Sequence, residues 1–73
     1  MGKLEDMAMA RQSIVEELEA INNYQSRISQ QIDAELRKVL QHNMDEEKEH
    51  VAMLMEWLRK NDPVQDMRFE KHD

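Results

Sequence analysis

Hydrophobic residues recur along this chain at steps of three and four, the spacing that gathers them on one face of an α-helix. Met7, Ala10, Ile14, Leu18, Ile21, Ile28 and Ile32 form one such stripe, which predicts a first helix over about residues 4–29. Its start is soft, and the residues before Arg11 are expected to fray. The period weakens across Ser29-Gln30-Gln31-Ile32, where Asp33 offers an N-cap and Glu35 an acidic first turn. A second stripe of Leu36, Val39, Leu40, Leu54, Trp57 and Leu58 predicts a helix over about residues 34–60, with Arg59 and Lys60 suited to its C-terminal dipole. Asn61-Asp62-Pro63 closes it, because the residue before a proline is pushed out of the α region. With Asp62 as N-cap and Pro63 at the first helical position, a short third helix over about residues 63–69 follows.

Two long amphipathic helices joined by a short connection make an antiparallel hairpin. One hairpin leaves its stripes half covered, and a second copy would cover them. The expected fold is all-α: an antiparallel two-helix hairpin with a short C-terminal helix, one domain over 1–73, dimerising into a four-helix bundle.

Composition narrows the means by which so small a chain becomes stable. Seventy-three residues bury a thin core, and the absence of cysteine excludes both disulfides and thiolate metal sites. Metal binding and self-association remain as staples. The net charge of −6, with no basic stripe, argues against a nucleic-acid partner and suits attraction of small cations. No apolar run approaches membrane-spanning length, and the N-terminus lacks a signal-peptide h-region. A soluble, intracellular chain with no membrane partner is expected.

The second stripe carries two residues that a plain leucine seam would not. Glu47 and His50, one turn apart, fall inside it together with Asn43. Burying a charged group there costs several kcal/mol unless it is paired or binds a metal. On the first helix Glu17 lies on the shoulder of the apolar stripe, about 50° from its centre, and Tyr24 lies on the same shoulder two turns on. Glu16 and Glu19 point away and read as solvated surface. Each hairpin thus supplies one Glu from the first helix and a Glu-x-x-His pair from the second. Ferritin-like dinuclear sites need that set twice, so a two-fold dimer of this chain completes one site with Glu17, Glu47 and His50 from each copy. Hard carboxylates with one imidazole per metal suit iron or manganese, and four carboxylates offset two divalent ions.

Plainer readings exist for each feature. Glu-x-x-His recurs by chance in helices, and a histidine on an apolar face is often a satisfied core residue. The placement of Glu47 and His50 together in the stripe, with Glu17 opposite, favours a metal over both. The seven methionines read as core fillers and Trp57 as interface core. His42 and His72 lie outside the stripe, and Arg27, Lys38 and Lys48 are solvated charges. The rival from another class is a metal-free helical dimerisation module; a peroxide-reducing dinuclear carboxylate enzyme is a further alternative.

Several runs resemble the encapsulated ferritin family. They are Glu16-Glu17-Leu18-Glu19-Ala20-Ile21 followed by Tyr24, Asp33-x-Glu35-Leu36-Arg37, and the longer run from His42 through Asp45-Glu46-Glu47-Lys48-Glu49-His50 to Trp57-Leu58-Arg59 and Asp62-Pro63. The resemblance covers about residues 11–63 and implies a ferroxidase that oxidises Fe(II) to Fe(III) with dioxygen. It implies a di-iron centre at a dimer interface on Glu17, Glu47 and His50, with Tyr24 beside it and Glu16 and Glu19 as a metal-attracting entrance; other divalent metals are able to substitute. It implies that two chains rebuild a ferritin-like four-helix bundle, with a decameric ring of five dimers held inside an encapsulin shell in a prokaryotic cytoplasm. Members of that family usually carry a C-terminal encapsulation peptide after a flexible linker, a segment not present in the residues up to Asp73. The family often has an aromatic just before the tyrosine, where this chain has Asn23.

Overall fold

A computed structural model describes residues 2–73 as three α-helices, α1 (Lys3–Ile28), α2 (Ala34–Asn61) and α3 (Pro63–His72). Met1, the first residue of the expected 1–73 domain, lies outside the described residues. The fold is all-helical, with no strand among the described residues, and no described helix is long and apolar enough to cross a membrane.

Local signals set the helix ends. The Asp33 side chain accepts a hydrogen bond from the Leu36 N–H at 3.0 Å, satisfying one of the donors left free at the start of α2. Asp62 does two jobs at the next boundary. Its backbone N–H donates to the Leu58 carbonyl at 2.8 Å, and its Oδ1 accepts from the N–H groups of Val64 and Gln65 at 3.1 and 3.2 Å. Pro63 occupies the first turn of α3, where its missing N–H costs nothing. The Arg37 guanidinium reaches back across the connection and donates to the carbonyls of Ile28 and, at 3.0 Å, Gln30. A cation thereby meets the carbonyls that the end of α1 leaves unpaired.

α1 and α2 pack as an antiparallel hairpin whose core lies where α1 begins and α2 ends. Met7, Ala10, Ile14 and Leu58 are buried there, and Val51, Leu54, Met55 and Trp57 pack around them. Polar contacts tie the same end. Lys3 Nζ donates to Asn61 Oδ1 at 2.7 Å and stands 5.7 Å from the centroid of the Trp57 ring, and Arg11 donates to Asp62 Oδ2 at 3.3 Å. The expected fraying before Arg11 is thus corrected. α1 is helical from Lys3, because Met7 and Ala10 supply core contacts and Lys3 is held by α2.

The apolar stripe of α2 is wider than the surface α1 covers. On a helical wheel Met44, Val51 and Leu58 lie to one side of Leu54, and Val39, His50 and Trp57 lie to the other. The first group is buried or half-buried, whereas Val39 and His50 are exposed. Leu18 and Leu36, expected in the stripes, are also exposed in the single hairpin.

α3 packs on α2 and runs to His72, beyond the expected end near residue 69. A polar clamp holds it in place of an apolar stripe. Arg59 donates to Asp66 at 2.9 Å and to Asp73 at 3.4 Å, and its guanidinium stacks 4.8 Å from the Phe69 centroid. The hydrogen bond from Arg59 to Asp66 raises the Arg59 pKa above the ordinary arginine value, partial desolvation opposes it, and the Asp73 charge reinforces it.

Candidate metal centre

α1 and α2 bring Glu17, Glu47 and His50 to one place. Each side chain offers a ligand atom, and these atoms all lie within 4.8 Å of one another. His50 Nδ1 stands 3.3 Å from Glu17 Oε2 and 3.5 Å from Glu47 Oε2. With its proton on Nδ1, the ring donates to Glu17, which binds the hairpin's two helices through the cluster itself. The spacing explains the convergence. Glu47 and His50 are three apart on α2 and so share a face, and Glu17 meets them from the side of α1 that borders it.

The burial differs from the sequence expectation. The side chains of Glu17 and Glu47 are 27% and 23% exposed, and that of His50 is 47% exposed. No polar or charged residue is buried among the described residues. In one hairpin the cluster therefore carries no large desolvation cost. It sits on the rim of the stripe because α1 covers the other half of that face.

The cluster opens onto a surface cavity of about 500 Å³ lined by Ser13, Glu17, His50, Met53, Leu54 and Trp57. Ser13 was not singled out from the sequence, although its place four residues before Glu17 puts it on the same helical face. Two carboxylates and an imidazole on an open face leave coordination positions free, and this mixed oxygen and nitrogen donor set fits a divalent ion such as Fe(II).

Glu16, Glu19, His42 and His72 are not part of the converging group. Glu16 is exposed and accepts from Gln12 Nε2 at 3.2 Å, and Glu19 is exposed. Tyr24 is half-buried, with the Arg27 guanidinium 5.6 Å from its ring centroid. Asn43 is half-buried in the α2 stripe. His42 pairs at 3.5 Å with Glu46 on an exposed face, and His72 is exposed at the end of α3.

A long helical hairpin with a carboxylate–imidazole cluster on its open face defines a protein of the ferritin-like helical class. The chain belongs to the EncFtn-like family, which matches residues 2–72. It is 50% identical over 62 residues to a ferritin-like protein of Thermotoga maritima, a match covering 85% of this chain and 54% of that protein. It is 56% identical over 50 residues to an encapsulated ferritin-like protein of Rhodospirillum rubrum, covering 68% of this chain and 36% of that one. The encapsulin nanocompartment cargo protein EncC of Myxococcus xanthus is 39% identical over 66 residues, covering 86% of this chain and 51% of its own length. The chain thus spans about half the length, or less, of these curated relatives. The crystal structure of protein ne0167 from Nitrosomonas europaea superposes with a TM-score of 0.91 at 45% identity, covering 97% of this chain and 78% of that one. The family resemblance carried by the Glu16–Tyr24 and His42–Pro63 runs is borne out by these matches.

Proposed function

We propose that this chain is a ferroxidase that oxidises Fe(II) to Fe(III) with dioxygen at a di-iron site shared by two hairpins. The observation that carries the reading is the convergence of Glu17, Glu47 and His50 from two helices, with ligand atoms within 4.8 Å, on an open face. A single hairpin holds two carboxylates and one imidazole, half of the set that a ferritin-like dinuclear site uses. Pairing two hairpins through the uncovered half of the α2 stripe doubles the set and covers Val39 and the neighbouring apolar residues.

Each side chain has a role in that arrangement. Glu17, Glu47 and His50 of each hairpin would hold the irons, with the Glu47 carboxylates suited to being shared between them. The four carboxylates balance the charge of two Fe(II) ions, and neutral imidazole adds a donor without further negative charge. Each Fe(II) gives up one electron, so the pair delivers two to dioxygen. Glu16 and Glu19, on the exposed face of α1, favour the approach of cations to the site. Tyr24 lies beyond Glu17 along α1 as the nearest aromatic on that helix.

The names of the relatives support a destination. Proteins called encapsulated ferritin-like protein and encapsulin nanocompartment cargo protein align with most of this chain. The Fe(III) product is accordingly delivered to an encapsulin compartment in a prokaryotic cytoplasm for storage; a ring of five dimers is the assembly we propose for the hairpins.

Anaerobic Fe(II) titration followed by admission of oxygen tests the reading, with ferric absorbance and particle mass followed together. About one iron bound per chain, with ferric absorbance on oxygenation, fits a site shared between two chains. Two irons per chain would refute the sharing. Stability, mass and oxygen consumption all indifferent to Glu47→Ala and His50→Ala would instead support a metal-free dimerisation module. Peroxide consumed in preference to dioxygen would support the peroxide-reducing alternative.

A further inference from the structure

One of the seven methionines stands apart by its neighbourhood. Met53 lines the same cavity as Glu17, His50 and Trp57, one turn after His50 on α2. It is 62% exposed, whereas Met9 is 59% and Met67 51% exposed, both outside that cavity. In the single hairpin the three methionines share the same chemistry and nearly the same exposure, and of the three Met53 alone lines the cavity of the cluster.

We infer that Met53 is an oxidation site that intercepts oxidant formed at the Glu17–Glu47–His50 cluster before it attacks His50 or Trp57. The inference rests on the ferroxidase reading. Two Fe(II) ions give one electron each to dioxygen, which takes up two protons and leaves as hydrogen peroxide. A lone pair on Met53 Sδ attacks one peroxide oxygen, the O–O bond breaks, the S–O bond forms, and the second oxygen departs as water with both protons. The sulfur loses two electrons and the peroxide gains them, so the step balances. Among the cavity-lining side chains only the thioether undergoes this oxidation reversibly, because methionine sulfoxide is returned by cellular reductases. An oxidised indole or imidazole is not. Met53 is thus a renewable sink placed at the source of the oxidant.

The test uses the full chain loaded anaerobically with Fe(II) and then exposed to oxygen, with peptides mapped by mass spectrometry over time and ferric absorbance recorded in the same sample. A parallel sample is freed of metal with a chelator and given hydrogen peroxide. With iron and oxygen, Met53 gains one oxygen atom faster than Met9 and Met67 by on the order of tenfold, because its oxidant is generated next to it. With peroxide alone Met53 oxidises no faster than Met9 and Met67. If ferric absorbance rises and the three methionines oxidise in step, the role of Met53 is overturned and the ferroxidase reading stands. If no ferric absorbance rises, both fall together. Met53→Leu keeps an apolar side chain of similar volume and should develop ferric absorbance at the wild-type rate while Trp57 oxidises sooner. Trp57 oxidation unaltered by that substitution would overturn the protective role.

Discussion

The two ends of the hairpin are built from similar residues and yet are finished differently. Where α1 begins and α2 ends, Met7, Ala10, Ile14 and Leu58 close on one another, and Lys3, Arg11, Asn61 and Asp62 tie the helices across the top. Towards the turn, Leu36 and Val39 are left about half exposed, and Arg37 is the side chain that holds the connection. The first end closes a four-residue core within the chain while leaving Leu4 and Met9 exposed. The second buries Met44 alone and leaves Leu36 and Val39 open on the stripe of α2, and Glu17, Glu47 and His50 lie between the two. Local hydrophobic content therefore does not say where a core will be; what decides is which side of a stripe the neighbouring helix reaches.

The comparison breaks most visibly at Leu58. Leu58→Ala should cost about 2–5 kcal/mol in urea unfolding, because the side chain is enclosed by both helices. Leu36→Ala should stay within about 0.5 kcal/mol in dilute solution and instead lower the particle mass in sedimentation. Equal losses at the two positions would erase the distinction between a finished and an unfinished end. Next in size is the response to metal. Fe(II) at a hundred times its dissociation constant should stabilise the wild-type fold by about 2.7 kcal/mol, and His50→Ala should abolish that gain in thermal unfolding. A melting temperature that ignores Fe(II) in the wild type counts against the metal centre. Asp33→Ala should cost about 1 kcal/mol, since it removes the acceptor for the Leu36 N–H. A change in stability smaller than the measurement error would mean that solvent caps α2 equally well. The smallest effect is expected at the clamp on α3. Arg59→Ala or high salt should speed hydrogen exchange across α3 and leave the exchange of the α1–α2 core unchanged. Protection of α3 that survives both treatments would show that Phe69 packing alone holds it.

The sequence made some of this legible and hid the rest for identifiable reasons. Asp33 and the Asp62-Pro63 pair act through atoms a few residues away, so their caps could be read directly from the chain. Glu47 and His50 were recognisable because three-residue spacing fixes their common face, and Glu17 because its place beside the apolar stripe sets it on the border with α2. The rotation of the α2 face could not be read in the same way. A stripe of about half the helix circumference is compatible with contact on either flank, and only the packing of α1 selects Met44, Val51 and Leu58 for the inside. Methionine suits both core and surface, so nothing in the chain marks Met44 above the other six, and Arg37 is unmarked because its partners are backbone carbonyls across the turn. The length of α3 was underestimated for a related reason. Arg59, Asp66, Phe69 and Asp73 hold it through contacts between helices, which leave no apolar period in the tail.

Asp62 gives the molecule a mutational bottleneck. Oδ1 serves the first turn of α3, Oδ2 serves Arg11 on α1, and the backbone N–H serves the last turn of α2. A substitution there is read by three helices at once. Asn keeps an acceptor for the cap and gives up the charge that Arg11 meets; Glu keeps the charge and carries it one methylene past the cap. Few letters of the code satisfy every neighbour, so the freedom of this position to drift is set by the number of helices that share it.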